Sequence, residues 1–494
     1  MKEDWIEVEF RNVIAIISGK HQAEVVDDNG IYPIYGSGGF MGYANDYLCE
    51  EGTTIIGRKG TINSPMYIRT KFWNIDTAFG LVPSEALDNR FLYFFSVGFN
   101  FKKLDKSTAI PSLAKRDLLN IKLPLPPLPE QRAIVAKIEQ LFSELDAGVA
   151  HLKKAQAQLK VYRQAVLKKA FEGALTKTWR AKQTDLPTTE VLLAQIKTER
   201  QQHQAQQMAE WEQAVKTWEA NGKDGKKPTK PKKIKEVAPL SEEELKALPE
   251  LPDGWSWDSL VNIAHLMGGV TKGRKLEGKK LISLPYLRVA NVQDGYLNLN
   301  QVKNIDVLPS DLDKYKLIKG DILYTEGGDK DKLGRGTIWN NEVENCIHQN
   351  HIFRARLYLR EMPQKFIGYF SQTKVAKRYF FKNAKQTTNL ASINLTVLSN
   401  LPIPLCSLPE QNQIVAEIEA RLSVCDQVEA NIAEGLQKAE ALRQSILKKA
   451  FEGTLLSPAE LQACKNEKDW EPAQALLEKI KENKGAKMIE TGEK

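Results

Sequence analysis

Two stretches of this chain place cations and small polar side chains at turn spacing. IIGRKGTI (Ile55–Ile62) reads as strand, tight turn, strand, with Arg58, Lys59 and Thr61 at the turn, and Ser37 lies in the glycine-rich run YGSGGFMGYA (Tyr35–Ala44). The counterpart is DILYTEGGDKDKLGRGTIWN (Asp321–Asn340), where Gly334-Arg335-Gly336 is expected to form a similar basic turn. Basic turns projecting from a sheet can bind phosphate oxygens and reach base edges in a groove. Two polar loops stand at equivalent places: DKSTAIPSLAK (Asp105–Lys115), with Lys106, Ser107 and Thr108, and KQTTNLASIN (Lys385–Asn394), with Lys385, Thr387, Thr388 and Asn389. Lys272, Arg274, Arg288 and Asn291, together with His348, Gln349 and Asn350 of the HQNH run, complete the candidate contacts to nucleic acid. The competing reading is plain: hairpins with solvated cations and, for HQNH, a satisfied polar cluster in a core.

Signatures of catalysis are missing. There is no GxxxxGK[ST]; the nearest run, Gly268–Lys275 (GGVTKGRK), has Arg-Lys where Lys-Ser/Thr is needed. [DN]PP[FYW], GxSxG and HExxH are absent, and no helical pattern follows the glycines of Tyr35–Ala44, which read as a turn rather than a cofactor loop. HQNH lacks a third ligand at any standard metal spacing. Asp253 with Glu277 and Lys279 mimics a nuclease spacing, but its acid lies in a Gly/Lys loop. The sequence reads as a binding scaffold, with no catalytic and no metal residues.

The elements that must position these residues are repeated. Shifted by 280 positions, Leu128–Thr176 matches Leu408–Leu456 at 22 of 49 positions without a gap, from LPEQ…IVA.IE to LKKAFEG.L. Ser112 falls on Ser392 in the same register, while DWIEVEFRNVIAIISG fits GWSWDSLVNIAHLMGG at a shift of 250 and FLYFFS (Phe91–Ser96) fits FIGYFS (Phe366–Ser371) at 275. VLLAQIK (Val191–Lys197) fits ALLEKIK (Ala475–Lys481) at 284. The chain is therefore two copies of one unit, with net insertions in the second variable domain.

Each repeated segment reads as one long helix. Pro129 suits the first helical position, Glu130 the positive end of the helix dipole, Lys168 and Lys169 the last turn, and Gly173 the left-handed cap. Ile138, Leu145, Leu152, Leu159 and Val166 recur every seven residues, with Ile134, Leu141, Ala155 and Tyr162 as a second row; the other copy gives Ile418, Cys425, Ile432 and Ile446, with Val428 and Leu442. Such a narrow stripe fits a coiled-coil seam. A helix over Pro129–Phe171 would be roughly 65 Å long, more than a compact domain needs. The partner of one helix is expected to be its own repeat, crossing antiparallel, with Gly148, Ala155, Gly435 and Ala439 permitting close approach.

Between the copies, Thr188–Asn221 is a second helical stretch whose Met208, Trp211, Val215 and Trp218 form a packing stripe. The lysine-rich Gly222–Lys235 reads as a solvated connector, and Ser241 with Glu244 as a capping box. The five cysteines are scattered and no CxxC occurs, which suits a reducing, cytoplasmic setting. No run approaches eighteen apolar residues, so no membrane span is expected. The net charge of +8 hints at an anionic partner.

On these repeats, and on TEGG…GRGTIWN…HQNHIFRARL and YGSGG…IIGRKGTIN…TAIPSLAKRDLLNIKLPLPPLPEQ, the chain resembles the specificity (S) subunits of type I DNA restriction–modification systems. The resemblance implies an α+β architecture: two mixed α/β target-recognition domains (1–127 and 252–407), separated by two long antiparallel coiled-coil helices (128–175 and 408–455), with a pseudo-twofold duplication. A helical and Lys-rich linker (176–251) and a tail helix (456–494) complete it. It implies double-stranded DNA as ligand, each domain reading half of a split sequence. It implies two methyltransferase subunits, carrying S-adenosylmethionine and methylating adenine N6, and two translocase–nuclease subunits using ATP and Mg; no cofactor is expected on this chain. Alternatives are the recognition subunit of a related system with fused methylation and cleavage, a coiled-coil adaptor that binds no DNA, and a nuclease using Asp253 and Glu277.

Overall fold

The computed structural model describes residues 3–490 except 225–226, 232, 235–236, 329–332 and 387–390, with backbone only over 483–490. The chain forms two compact units, Met1–Ala155 with Asn431–Lys494, and Gln156–Ala430. Each unit holds one variable domain and half of each long helix.

The two variable domains are built alike. In the first unit a four-stranded sheet runs Ile14–Ser18, Ala78–Pro83, Thr54–Gly57, Met66–Tyr67 in spatial order; in the second it runs Ala264–Gly268, Ile352–Leu357, Ile322–Thr325, Gly336–Ile338. A smaller sheet accompanies each: Tyr32–Gly36 between Gly39–Ala44 and Trp73–Asn74, and Ile282–Leu287 between Lys303–Val307 and Ile347–His348. The opening strand of each domain pairs antiparallel with the strand that leads into the long helix: Ile6 faces Leu125, and Ser256 faces Leu405. These partners keep the sequence shifts of 250 and 280, so the mismatch between shifts reflects insertions in the loops and not a change of topology.

Both long helices have 44 residues, Leu128–Phe171 (the first rod) and Leu408–Phe451 (the second rod), or roughly 66 Å at 1.5 Å per residue. Gly173 and Gly453, at φ 69° and 74°, close them in the left-handed conformation that glycine adopts without a Cβ clash. The rods run antiparallel in each unit. In the first, Asp146 pairs with Arg443, and Leu152 Cδ1 lies 3.1 Å from where a Cβ on Gly435 would stand. In the second, Arg163 binds Asp426 at 2.6 Å and Glu429 at 3.0 Å. Arg163 and Arg443 are one repeat apart, as are Asp146 and Asp426, so the two ion pairs are the same contact made twice.

The seam departs from the expected one. Ile138, Ile418, Ile432 and Ile446 are buried, and Leu145, Leu152 and Leu159 partly so. Leu442, however, is 50 % exposed and its equivalent Tyr162 49 %. The second row instead follows Phe142, Val149, Gln156 and Arg163, four residues past the first row rather than three. Polar Gln156 and Arg163 hid that row from a search for apolar residues. Gly148 meets no atom within 4 Å where a Cβ would stand, so it does not serve close approach.

Each rod begins in one domain and ends on the helix of the other. In the first unit, Ile134, Val135 and Ile138 of the first rod join the core of the variable domain, as do Ile446, Leu447 and Ala450 of the second. Phe451 packs edge-on against Phe91 and Phe95, with ring centroids 5.2 and 5.4 Å apart. In the second unit Phe171 meets Phe366 and Phe370 at 5.1 and 5.3 Å. The starts of the rods are held by buried carboxylates. Trp5 Nε1 donates to Glu130 at 2.8 Å and Trp255 Nε1 to Glu410 at 3.0 Å, while Glu410 also accepts from Thr176 Oγ1 at 2.7 Å and pairs with Arg180.

The linker has a helix at Thr189–Ala220 whose Leu192 and Ile196 are buried in the second unit. Its Trp stripe packs on the linker itself: Trp211 Nε1 donates to Pro228 O at 3.1 Å, and Lys230 and Lys227 lie over Trp211 and Trp218. Part of the lysine-rich stretch is laid along this helix, its described lysines still exposed. The capping box at Ser241 forms as expected. The tail is two helices rather than one, Pro458–Lys465 and Ala473–Glu490. It is tied to the first unit by Lys137–Glu460 at 3.0 Å, Arg132–Glu467 at 2.8 Å and Lys465–Asp4 at 2.7 Å. No helix among the described residues is long and apolar enough to cross a membrane.

Two predictions rest on these contacts. Glu410→Ala leaves the Trp255 indole, the Thr176 hydroxyl and the Arg180 guanidinium without their shared acceptor, and should destabilise the second unit by about 3 kcal/mol or more, read as a lower urea midpoint. His203 of the linker helix packs against His265 of the sheet, the rings tilted and their centroids 5.3 Å apart. Burial, then the charge of Arg354, pushes His265 down to about 4, and burial lowers His203 as well. Histidines that titrate near 6.5 unfolded but lower when folded leave stability intact above that pH and remove it as pH falls toward 4. The urea midpoint should therefore drop across this window, and His265→Gln should flatten the drop.

Candidate nucleic-acid interface

In the first domain the structure brings together the turn and the loop that the sequence singled out. Strand Thr54–Gly57 runs into Arg58 and Lys59, whose backbone N–H groups both donate to Thr77 O at 2.7 and 3.2 Å. Gly60 N then donates to Pro111 O at 2.8 Å, Leu113 N donates to Arg58 O at 2.8 Å, and Lys59 bridges to Ser112. Gly60 takes φ 79°, a conformation that excludes most side chains at this turn. The loop is organised by Asp105, which accepts from Ser107 Oγ at 2.6 Å, Ser107 N at 3.0 Å and Ser112 N at 3.1 Å. The Ser107 hydroxyl, then the two backbone donors, hold the Asp105 carboxyl below the usual carboxylate range. Ser107 thus organises the loop and Lys106 pairs with Asp117 at 3.1 Å, while Lys59, Thr61 and Thr108 stay exposed. Arg58, Lys59, Ser112 and Lys115 line a cleft of about 370 Å³. The Arg58 guanidinium lies over the Phe79 ring and reaches Asp76 O at 3.4 Å. Ser37 joins the same edge, its N–H donating to Thr77 Oγ1 at 3.4 Å.

The second domain repeats this framework with different charges. Glu326 N donates to His351 O at 2.9 Å, Ile393 N donates to Glu326 O at 2.7 Å, and Gly327–Gly328 pairs with Ala391–Ser392. These are the bonds of Arg58, Leu113, Lys59 and Ser112, position for position. Glu326, not Arg335, therefore stands where Arg58 stands, and it pairs with His351. Arg335 lies just before the return strand Gly336–Ile338 and donates to Gln293 Oε1 at 2.7 Å. The expected equivalence of the two basic turns is corrected: an insertion before the return strand shifted the glycines and arginine away from the turn.

Four further candidates are held by bonds within the domain. His348 is fully buried, its Nδ1 bonding Ile352 O at 2.9 Å, and burial pushes it down to about 4. Its strand position matches that of buried Asn74, and it cannot reach a ligand. Asn291 is also buried, accepting from Arg288 N and donating to Asn298 O, both at 2.8 Å. Arg274 grips Asp311 with two bonds of 3.1 and 2.6 Å. Burial alone would raise the Asp311 carboxyl, but the Arg274 hydrogen bonds outweigh it and hold it down. Arg288 donates to Gln301 O at 3.0 Å and braces the same loop. Lys272 and Lys385 are exposed, and Gln349 and Asn350 half-buried. Thr387, Thr388 and Asn389 lie outside the described residues. Among the described residues, no three His, Cys, Asp or Glu side chains gather where they could hold a metal ion.

Asp105, Thr77, Glu326 and His351 were not singled out as site residues, although each positions this edge. For Glu326 the register carried no signal: the 280 shift that pairs Ser112 with Ser392 takes Arg58 to Ile338, whereas the backbone bonds place Glu326, 268 positions on, at the turn.

Comparison with known proteins agrees with this architecture. The profile of a family described as "Type I restriction modification DNA specificity domain" matches residues 2–153 and 252–438. The chain is 24% identical over 498 residues to the type I restriction enzyme EcoDI specificity subunit of Escherichia coli, covering 98% of this chain and 96% of that protein. It is 25% identical to the EcoBI specificity subunit of the same organism, covering 87% and 80%. Among solved structures, one from a study of "complex assembly and conformational transition of the type I R-M system" superposes with a TM-score of 0.60 at 16% identity, covering 92% of this chain and 99% of that one. The HsdS subunit of Thermoanaerobacter tengcongensis gives 0.51 at 16% identity, covering 92% and 98%. Two matched segments, one in each repeat, place the chain in the family of type I restriction–modification DNA specificity subunits.

Proposed function

We propose that this subunit reads a bipartite double-stranded DNA target, one half with each variable domain, and that the paired rods set the gap between the half-sites. The observation that carries this reading is the edge built twice: a turn and a polar loop pinned by the same backbone bonds in both domains, with different side chains displayed on each. A framework kept while its exposed groups vary suits two sites that read different bases. Bases are distinguished by the side chains presented, whereas phosphate and backbone contacts fix the docking.

The chain itself supplies no catalytic group in this reading. Two methyltransferase subunits would bind it with near-twofold symmetry and carry S-adenosylmethionine; two translocase–nuclease subunits would supply ATP- and Mg-dependent cleavage. The reciprocal Arg163–Asp426 and Arg443–Asp146 pairs support symmetric docking, because they give both units the same rod geometry. The two edges differ in charge, Arg58 and Lys59 against Glu326 and Gly327, so the first domain is expected to hold phosphate more strongly.

Two experiments test this. Single-molecule sequencing of host DNA should show methyladenine in a split motif with a fixed gap, lost when the gene is deleted; exchanging residues 1–127 for another such domain should change one half of that motif alone. An unchanged methylation pattern in a strain expressing the gene would overturn the reading. In the assembled complex, Arg58→Ala with Lys59→Ala should weaken binding to all sequences and reduce the slope of log affinity against log salt by roughly 1.8, the value for two lost phosphate contacts on duplex DNA.

A further inference from the structure

The glycine-rich run Tyr35–Ala44 forms a β-hairpin that leaves large apolar side chains in solvent. Strands Tyr32–Gly36 and Gly39–Ala44 pair antiparallel, with a register shift at Ile34/Tyr35. Gly39 and Gly42 take φ 117° and 153°. Phe40 is 55 % exposed, Met41 54 % and Tyr43 46 %. The rings are nonetheless ordered against each other: Phe40 meets Tyr43 edge-on at 5.2 Å and Tyr35 at 6.0 Å. Single exposed apolar residues are ordinary on a protein surface, but a cluster at one hairpin end marks a contact.

The position of this hairpin says what it contacts. Thr77 ties it to the basic edge: its hydroxyl accepts from Ser37 N in the hairpin turn, and its carbonyl accepts from Arg58 N and Lys59 N. Ser37 Oγ lies 3.7 Å from where a Cβ on Gly60 would stand. The apolar hairpin and the cationic turn therefore share Thr77 as a common anchor. Cations beside exposed Phe and Met match a polyanion with apolar surface between its charges, which is a base stack behind phosphates. Proteins insert Phe or Met between base steps, while neighbouring cations hold the backbone. The counterpart in the second domain has a long connection, 288–302, between its equivalent strands, braced by Arg288 and Asn291.

We propose that the hairpin at 36–43 is an apolar wedge: Phe40 and Met41 enter the DNA between adjacent base pairs in the half-site read by the first domain, opening the stack, while Arg58 and Lys59 hold the flanking phosphates. This rests on the DNA-reading function proposed above and adds deformation of the duplex to it. One half-site is then recognised in part by how easily a base step opens, and flexible pyrimidine–purine steps are favoured at the wedge.

The test uses the full complex with its methyltransferase subunits and the DNA motif obtained by methylation sequencing. Phe40→Ala with Met41→Ala should lower affinity about tenfold or more, within the roughly 5- to 150-fold expected for one lost stacking contact, and leave the salt slope unchanged. 2-Aminopurine placed in turn at positions of that half-site other than the methylated adenine should brighten with the wild-type complex at one step and not with the variant. Phe40→Leu should restore part of both signals, which separates loss of the wedge from misfolding. Unchanged affinity, or no brightening at any position with the wild type, overturns the wedge. Loss of complex assembly with intact DNA binding would assign the hairpin to a protein partner and overturn it equally. If the wild-type complex shows no sequence-specific binding at all, the DNA-reading function itself fails, a result distinct from the others.

Discussion

Everything in this fold depends on an apolar stripe that one domain cannot cover alone. Each rod is nearly four times as long as an average helix of about 11–12 residues, and only its first three turns or so reach the core of the domain that precedes it. The remainder carries a narrow row of Ile, Leu and Val that must be removed from water. The other repeat carries the same row. Placing the two rods antiparallel covers both, and the end of each rod then arrives at the domain of the other repeat, where Phe171 and Phe451 find the same pair of phenylalanines on a helix. The duplication is thus a packing requirement as much as an evolutionary trace: the contacts that stabilise one half are the mirror use of residues in the other.

Much of this was legible in the sequence because it is periodic or repeated. The rods, their glycine caps, the two variable domains and the capping box at Ser241 follow from spacing and local chemistry. The second row of the seam did not, because Gln156 and Arg163 occupy it, and a search for apolar residues passes over a position filled by the stem of a polar side chain. The tail reads as one helix in the sequence, whereas the chain breaks at 466–472, between Pro458–Lys465, opened by a capping box at Ser457, and Ala473–Glu490. The candidate interface was legible only where the loop and turn kept their register. Arg335 was misplaced because a glycine-arginine-glycine triplet looks the same wherever an insertion puts it. His348, Asn291 and Arg274 show a different gap: polarity is visible in a sequence, whereas the partner it meets in the fold is not.

The charge asymmetry between the two edges follows from the same economy of framework. Backbone bonds define the turn and the loop, so the side chains there are free to change sign. Arg58 leans on Phe79 and a carbonyl; Glu326 at the matching place takes His351. Neither substitution disturbs the strand pairing beneath it. A scaffold of this kind separates folding from recognition, and loop residues can vary without cost to the core.

The shared rods also fix an order of assembly. The first unit needs residues 431–494, which are synthesised only after the whole of the second unit. Until they emerge, Phe91 and Phe95 lack the ring of Phe451, and the core around Ile134 and Ile138 lacks Ile446, Leu447 and Ala450. The intervening 275 residues are those of the second unit, Gln156–Ala430, and at about 5–20 residues per second the wait is roughly 15 to 60 s. A domain whose sequence is complete early is finished late. Its exposed aromatic helix in that interval is the natural place for a chaperone, or for the corresponding rod of a neighbouring nascent chain, to bind.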